Sequence, residues 1–169
     1  MDGTQWLTSC HPDPALVYEQ WERSPHLASI PAGVRFDVLR LFQPLALTVL
    51  WELGDLAQKI PVLEEHLERR PAFYFLTELG TAENWQPDGH SLLLTTGDDL
   101  ILPSPSADGI AGVQRHAFLW RTPPDGSGRL ADHETLATAY AHARDPERQA
   151  ARIRAARSVF WGAQHTRRS

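Results

Sequence analysis

The hydrophobic pattern changes period along the chain, and that change limits the possible folds more than any other feature. Helical spacing governs the start and the end, whereas the middle is a series of short apolar runs of strand character. Asp13-Pro14 offers an N-cap followed by proline at the first helical position. It predicts a helix over about 14–23, with Leu16, Val17, Tyr18 and Trp21 as a partial stripe and Ser24-Pro25 as its end. Ser29–Gly33 reads as a turn. Residues 34–41 are rich in β-branched and aromatic side chains and predict a strand, which Pro44 breaks. Leu45, Val49, Leu50 and Leu53 then fall at helical spacing over 44–53, a helix that Gly54 closes and on which Trp51 reads as core or rim packing.

From there the β runs follow one another. Ile60–Leu63 is a short strand, 64–70 a charged connection, and Ala72–Leu76 the most strand-like run of all. Ser91–Leu94 and Leu100–Pro103, joined by Thr95–Asp99, have the spacing of a hairpin. A Pro/Ser/Asp/Gly loop over 103–112, a last strand over 116–120 and a second flexible loop over 122–128 complete the section. Asp132 can cap a helix to about Ala143, and Asp145-Pro146 starts another to about Trp161, docked through Val159, Phe160 and Trp161. Helix, strand, helix, several β elements and then helices predict an α+β fold: a mixed, mostly antiparallel sheet with flanking helices and a helical C-terminus. The organisation expected is a flexible N-terminus over 1–12, a single α+β domain over 13–143, and an Arg-rich helix and tail over 144–169.

The 169 residues include one cysteine, Cys10, so no disulfide and no thiolate zinc site can be drawn within the chain. Apolar burial must hold such a chain together, and a domain of this size buries roughly 70% of its unfolded surface. No apolar run approaches the about 20 residues of a membrane span, and the first residues do not resemble a signal peptide. The expectation is a cytoplasmic protein with no membrane partner. Net charge is −5, unevenly spread: seven arginines against Asp145 and Glu147 give 144–169 a charge of +5, leaving −10 on 1–143. An acidic body repels a phosphate backbone, so a protein or nucleic-acid partner is expected at the basic helix, through Arg148, Arg152, Arg154 and Arg157.

Few catalytic templates are met. Gly126-Ser127-Gly128 has no preceding strand to make a nucleophile elbow, and no glycine-rich phosphate cradle is present. Cys10 beside His11 lies on a segment where neighbouring side chains point apart. Glu64, Glu65 and His66 read as a solvated face rather than a metal set. Asp98-Asp99, between two apolar strands, suits either a cation or an ordinary turn. Asp37 lies opposite Phe36 and Val38 on its strand; an exposed or salt-bridged acid is the plain reading, and a buried one needs a partner such as Arg35. Trp6, Trp85 and Trp161 lie in less regular surroundings, where packing is the favoured use and stacking on a base or partner the other.

Taken in order, the strand with Asp37, the amphipathic helix, Phe73-Tyr74-Phe75, the run Gly97-Asp98-Asp99-Leu100-Ile101-Leu102-Pro103-Ser104-Pro105 followed by Arg115, and Trp120 before Pro123-Pro124 resemble a known family. They are similar, over about residues 33–136, to the N-terminal domain of bifunctional DNA primase/polymerases in the archaeo-eukaryotic primase superfamily, and in particular to short, divergent actinobacterial members. The resemblance implies that Asp37 matches one acid of the family's Asp-x-Asp metal motif, with Leu39 in the second place. The family's motif histidine has no counterpart ahead of Ala72, where Glu68-Arg69-Arg70-Pro71 stand and His66 is out of register. Two-metal phosphoryl transfer needs several carboxylates around two cations. The function expected is therefore a non-catalytic, degenerate primase/polymerase-like domain serving as a regulatory or replication-associated binding module, with no cofactor. One alternative is an active nucleotidyltransferase using Mg²⁺ or Mn²⁺, with Asp37 as catalytic candidate and Asp37, Asp98 and Asp99 as metal candidates. The other is a protein-protein interaction module with no nucleic-acid role.

Overall fold

The computed structural model describes residues 1–67, 69–106 and 117–165, and of 159–165 the backbone alone. The fold is α+β. Strands β1 (Ala28–Pro31), β2 (Asp37–Phe42), β3 (Val62–Glu65), β4 (Ala72–Thr77), β5 (Ser91–Leu94), β6 (Asp99–Leu102) and β7 (Phe118–Thr122) form two sheets. One is five-stranded in the order β5-β2-β4-β3-β7; the other is the ribbon β1-β6. All strand pairs within them are antiparallel. The unbroken apolar run Ala72–Leu76 takes the central position, as a strand covered on both faces must.

Alternation along β2 divides the core. Leu39 and Leu41 face helices α3 (Leu45–Leu53) and α5 (His133–Arg144), joined there by Phe73, Phe75 and Leu136. Val38 faces the other way, into a second cluster with Leu76, Leu100 and Leu102, covered by the β1-β6 ribbon and by helices α1 (Gly3–Thr8) and α2 (Pro14–Glu22). The molecule is thus three layers, with the large sheet in the middle. Asp13 caps α2 and Asp132 caps α5 through their side-chain oxygens, and Gly54 ends α3 at positive φ. A 3-10 helix (Gly54–Gln58), the short α4 (Thr81–Asn84) and the long α6 (Pro146–His165) complete the chain. Among the described residues no helix is long and apolar enough to cross a membrane.

Four sequence expectations are corrected. The first residues, for which the sequence predicts no element, hold a short helix: Asp2 and Gln5 form a capping box on α1, and Leu7 and Cys10 are buried. The 122–128 loop seats them, because a Cβ at Gly3 would strike the Pro124 carbonyl and one at Gly126, at φ +87°, the Met1 carbonyl. The turn assigned to Ser29–Gly33 largely belongs to β1. β5 and β6 do not make a hairpin; β5 pairs with β2 and β6 with β1 across the sandwich. Trp51 is 74% exposed rather than packed. The aromatic end of α6, Arg115 and most of the 103–112 loop lie outside the described residues or side chains.

Candidate functional site

Asp37 opens β2 on the α3/α5 face and is 1% exposed, so the plain expectation of an exposed or salt-bridged acid does not hold. Its partners are not arginines either. Oδ1 accepts from the Thr95 hydroxyl at 2.8 Å and Oδ2 from the Ala82 backbone N–H, in α4, at 3.1 Å. The carboxylate joins the start of β2 to α4 and to the turn after β5. Asp98 lies in that same turn, its Oδ2 accepting the Thr95 backbone N–H at 3.0 Å, and it is exposed. Asp99 is exposed at the start of β6. Asp37 and Asp98 therefore meet through one residue, Thr95, while Asp99 stands apart from that link. Leu39, the residue that the resemblance would set in the place of a second acid, is fully buried in the core. Among the described residues no group of three or more His, Cys, Asp or Glu is placed to hold a metal ion.

Other sequence candidates are engaged internally. Cys10 Sγ donates to the Trp6 carbonyl at 3.4 Å, and burial pushes the thiol up to about 11, so the nucleophilic thiolate is disfavoured at neutral pH. Glu64 binds Arg121 at 2.6 Å and His66 at 2.9 Å. On α6, Arg148 and Arg152 turn inward to Glu52 of α3, while Arg154 and Arg157 are exposed.

An apolar concavity lies elsewhere, between the segment after α4 and helix α5. It is a cleft of about 640 Å³ whose floor is Trp85, Tyr140 and Ala137 and whose rim carries Gln86, Asp88 and Arg144. The Trp85 ring stands edge-on to Tyr140 at 5.1 Å and to His133 at 6.2 Å. Its indole N–H donates to Ser91 Oγ at 2.9 Å, which in turn donates to Asp88 Oδ1 at 3.2 Å. Asp88 also accepts from the His90 N–H at 3.0 Å, the Tyr140 hydroxyl at 2.7 Å and the Arg144 guanidinium. Burial alone would push the Asp88 carboxyl up, but these donors outweigh it and hold the group below its ordinary range. The same hydrogen bond, together with burial, holds the Tyr140 phenol protonated to higher pH. His133 Nδ1 is buried without a hydrogen-bond partner.

Apolar rings in a concave floor with the Arg144–Asp88 ion pair and the Gln86 amide on the rim suit a flat ligand with a polar edge. In the sequence Trp85 reads as packing first and stacking second, and nothing singles out Asp88. Nothing local in Pro87-Asp88-Gly89 points to Tyr140, which lies 52 residues further along. The comparisons with known proteins found no matching family model, no matching curated protein and no matching solved structure.

Proposed function

We propose that the chain is a binding module rather than an enzyme: a degenerate primase/polymerase-like domain in a regulatory or replication-associated role. It takes an unpaired base in the Trp85–Tyr140 cleft and offers Arg154 and Arg157 to the strand's backbone. The observation that carries this reading is the engagement of Asp37, whose two oxygens are each given to an internal donor while Leu39 fills the neighbouring acid position. A carboxylate used in this way ties elements together and is not free to gather two cations. The test is binding of a labelled single-stranded oligonucleotide across a salt series. Binding is expected to weaken with salt, and the double variant Arg154→Gln/Arg157→Gln to lower the slope of log affinity against log salt by about 1.4, at about 0.7 for each phosphate that is no longer neutralised. Absence of single-strand binding would sink the nucleic-acid role and favour a protein partner.

A second reading rests on the shared use of Thr95 by Asp37 and Asp98. The two carboxylates flank one residue, and Asp98, reorienting, would give an active nucleotidyltransferase its second acid. Metal-dependent nucleotide incorporation that disappears in both Asp37→Asn and Asp98→Asn would establish it in place of the first.

A further inference from the structure

Arg40 is an unusual residue for an inner strand. It lies on β2 between β4 and β5, with its guanidinium carbon 4.6 Å from the Phe42 ring centroid and 5.6 Å from that of Tyr74. The two rings hold the group in place and shed part of its water. Its Nε is buried with no hydrogen-bond partner. Among the described residues no carboxylate comes within ion-pair distance of it; the nearby Glu65 instead accepts the Tyr74 hydroxyl proton. A partly desolvated cation with no carboxylate in direct contact is left incompletely compensated, and an external anion would complete it.

A cavity of about 360 Å³ lies at this end of the sheet. Arg40, Arg70, His90, Ser91 and Gln43 line it, and no carboxylate does. Arginine is suited to bidentate capture of a tetrahedral oxyanion, and two arginines with the Gln43 amide make a complementary set of donors, the Ser91 hydroxyl being already given to Asp88. The volume fits a small phosphorylated molecule rather than a polymer chain. We propose that this cavity binds phosphate, as the free ion or as the monoester group of a small molecule. The cavity has a different lining from the Trp85–Tyr140 cleft, although His90 and Ser91 border it and also bond to Asp88 of that cleft, and Asp37 lies at the other end of β2 on the opposite face; the proposal stands whether or not the base-binding reading holds.

The test is titration of inorganic phosphate and of ribose 5-phosphate into the full chain by calorimetry, with chloride at matched ionic strength and ribose as controls. Saturable binding with Kd about 1 mM or tighter is expected for at least one phosphate probe and for neither control. Tighter binding of ribose 5-phosphate identifies a monoester; equal binding identifies the free ion. Arg40→Gln and, separately, Arg70→Gln are each expected to weaken it about tenfold, as removal of one charge-assisted hydrogen bond does. Arg70 is exposed, so its variant keeps the test valid if the Arg40 variant does not fold. Failure of both phosphate probes to saturate, an equal response to chloride, or unchanged affinity in Arg70→Gln together with any folded Arg40→Gln would overturn the proposal.

Discussion

Asp37 is the residue whose environment decides most about this protein. Its carboxylate is removed from solvent and satisfied by one hydroxyl and one backbone N–H, so truncation would leave both donors unpaired inside the molecule. Asp37→Ala is expected to cost about 1–3 kcal/mol, read as a lower urea midpoint at unchanged slope. A variant of native stability that had lost cation binding would point instead to a metal ligand. Strand alternation is a local property, and it puts Asp37 on the face away from Phe36 and Val38 from sequence alone. The partners are not local: they lie 45 and 58 residues downstream and come from a short helix and a turn. Arg35, the neighbour that sequence suggests, is exposed.

The helices show the same division at the scale of elements. Capping is written in a few adjacent residues, and Asp13-Pro14, Asp132 and Asp145-Pro146 each begin a helix where the sequence predicts one. Strand pairing depends on distant partners, so the close spacing of β5 and β6 suggests a hairpin, whereas the need to cover Val38 and Leu76 draws β6 to the ribbon on the other face. The docking of α6 is equally hidden. Its arginines look like a free basic face, yet Glu52, partly buried on α3, gathers Arg148 and Arg152, with His142 3.7 Å away. Removing that charge should release α6 without unfolding the sheet. Glu52→Gln is expected to cost about 1 kcal/mol or less in global stability, as for other partly exposed ion pairs. The amide protons of α6 should nonetheless exchange faster while those of β2 and β4 are unchanged. Uniform protection in wild type and variant would show that α6 is held by other contacts.

Across the whole molecule, ionisable groups tie the outer layers to the sheet, and the direction of each shift sets where stability is lost with pH. Hydrogen bonds from Thr135 hold Asp132 below its ordinary 3.8, and the donors around Asp88 outweigh its burial to do the same. A carboxylate that is more acidic in the folded state stabilises above its unfolded pKa, and that contribution is lost as pH falls through the folded value. Acid destabilisation from these two groups is therefore confined to pH below about 4, with the α5 cap and the cleft network failing together. The alkaline side runs in the opposite sense. Cys10 rises from 9.0 to about 11, mainly by burial, and the Tyr74 phenol rises from 10.0 by burial and by its hydrogen bond to Glu65. Each binds its proton more tightly when folded, so each stabilises fully below its unfolded value and loses that stabilisation as pH climbs through the folded one. Melting temperature is expected to stay level between pH 6 and 9 with respect to these groups, then to fall from pH 9 towards 11 as unfolding frees the Cys10 thiol to ionise. Cys10→Ala should start from a lower plateau but decline less over that interval, and Tyr74→Phe should flatten the decline above pH 10. A Cys10→Ala profile parallel to wild type between pH 9 and 11 would show that the thiol is no more buried in the folded chain than in the unfolded one, and that the layer formed by α1 does not close over it.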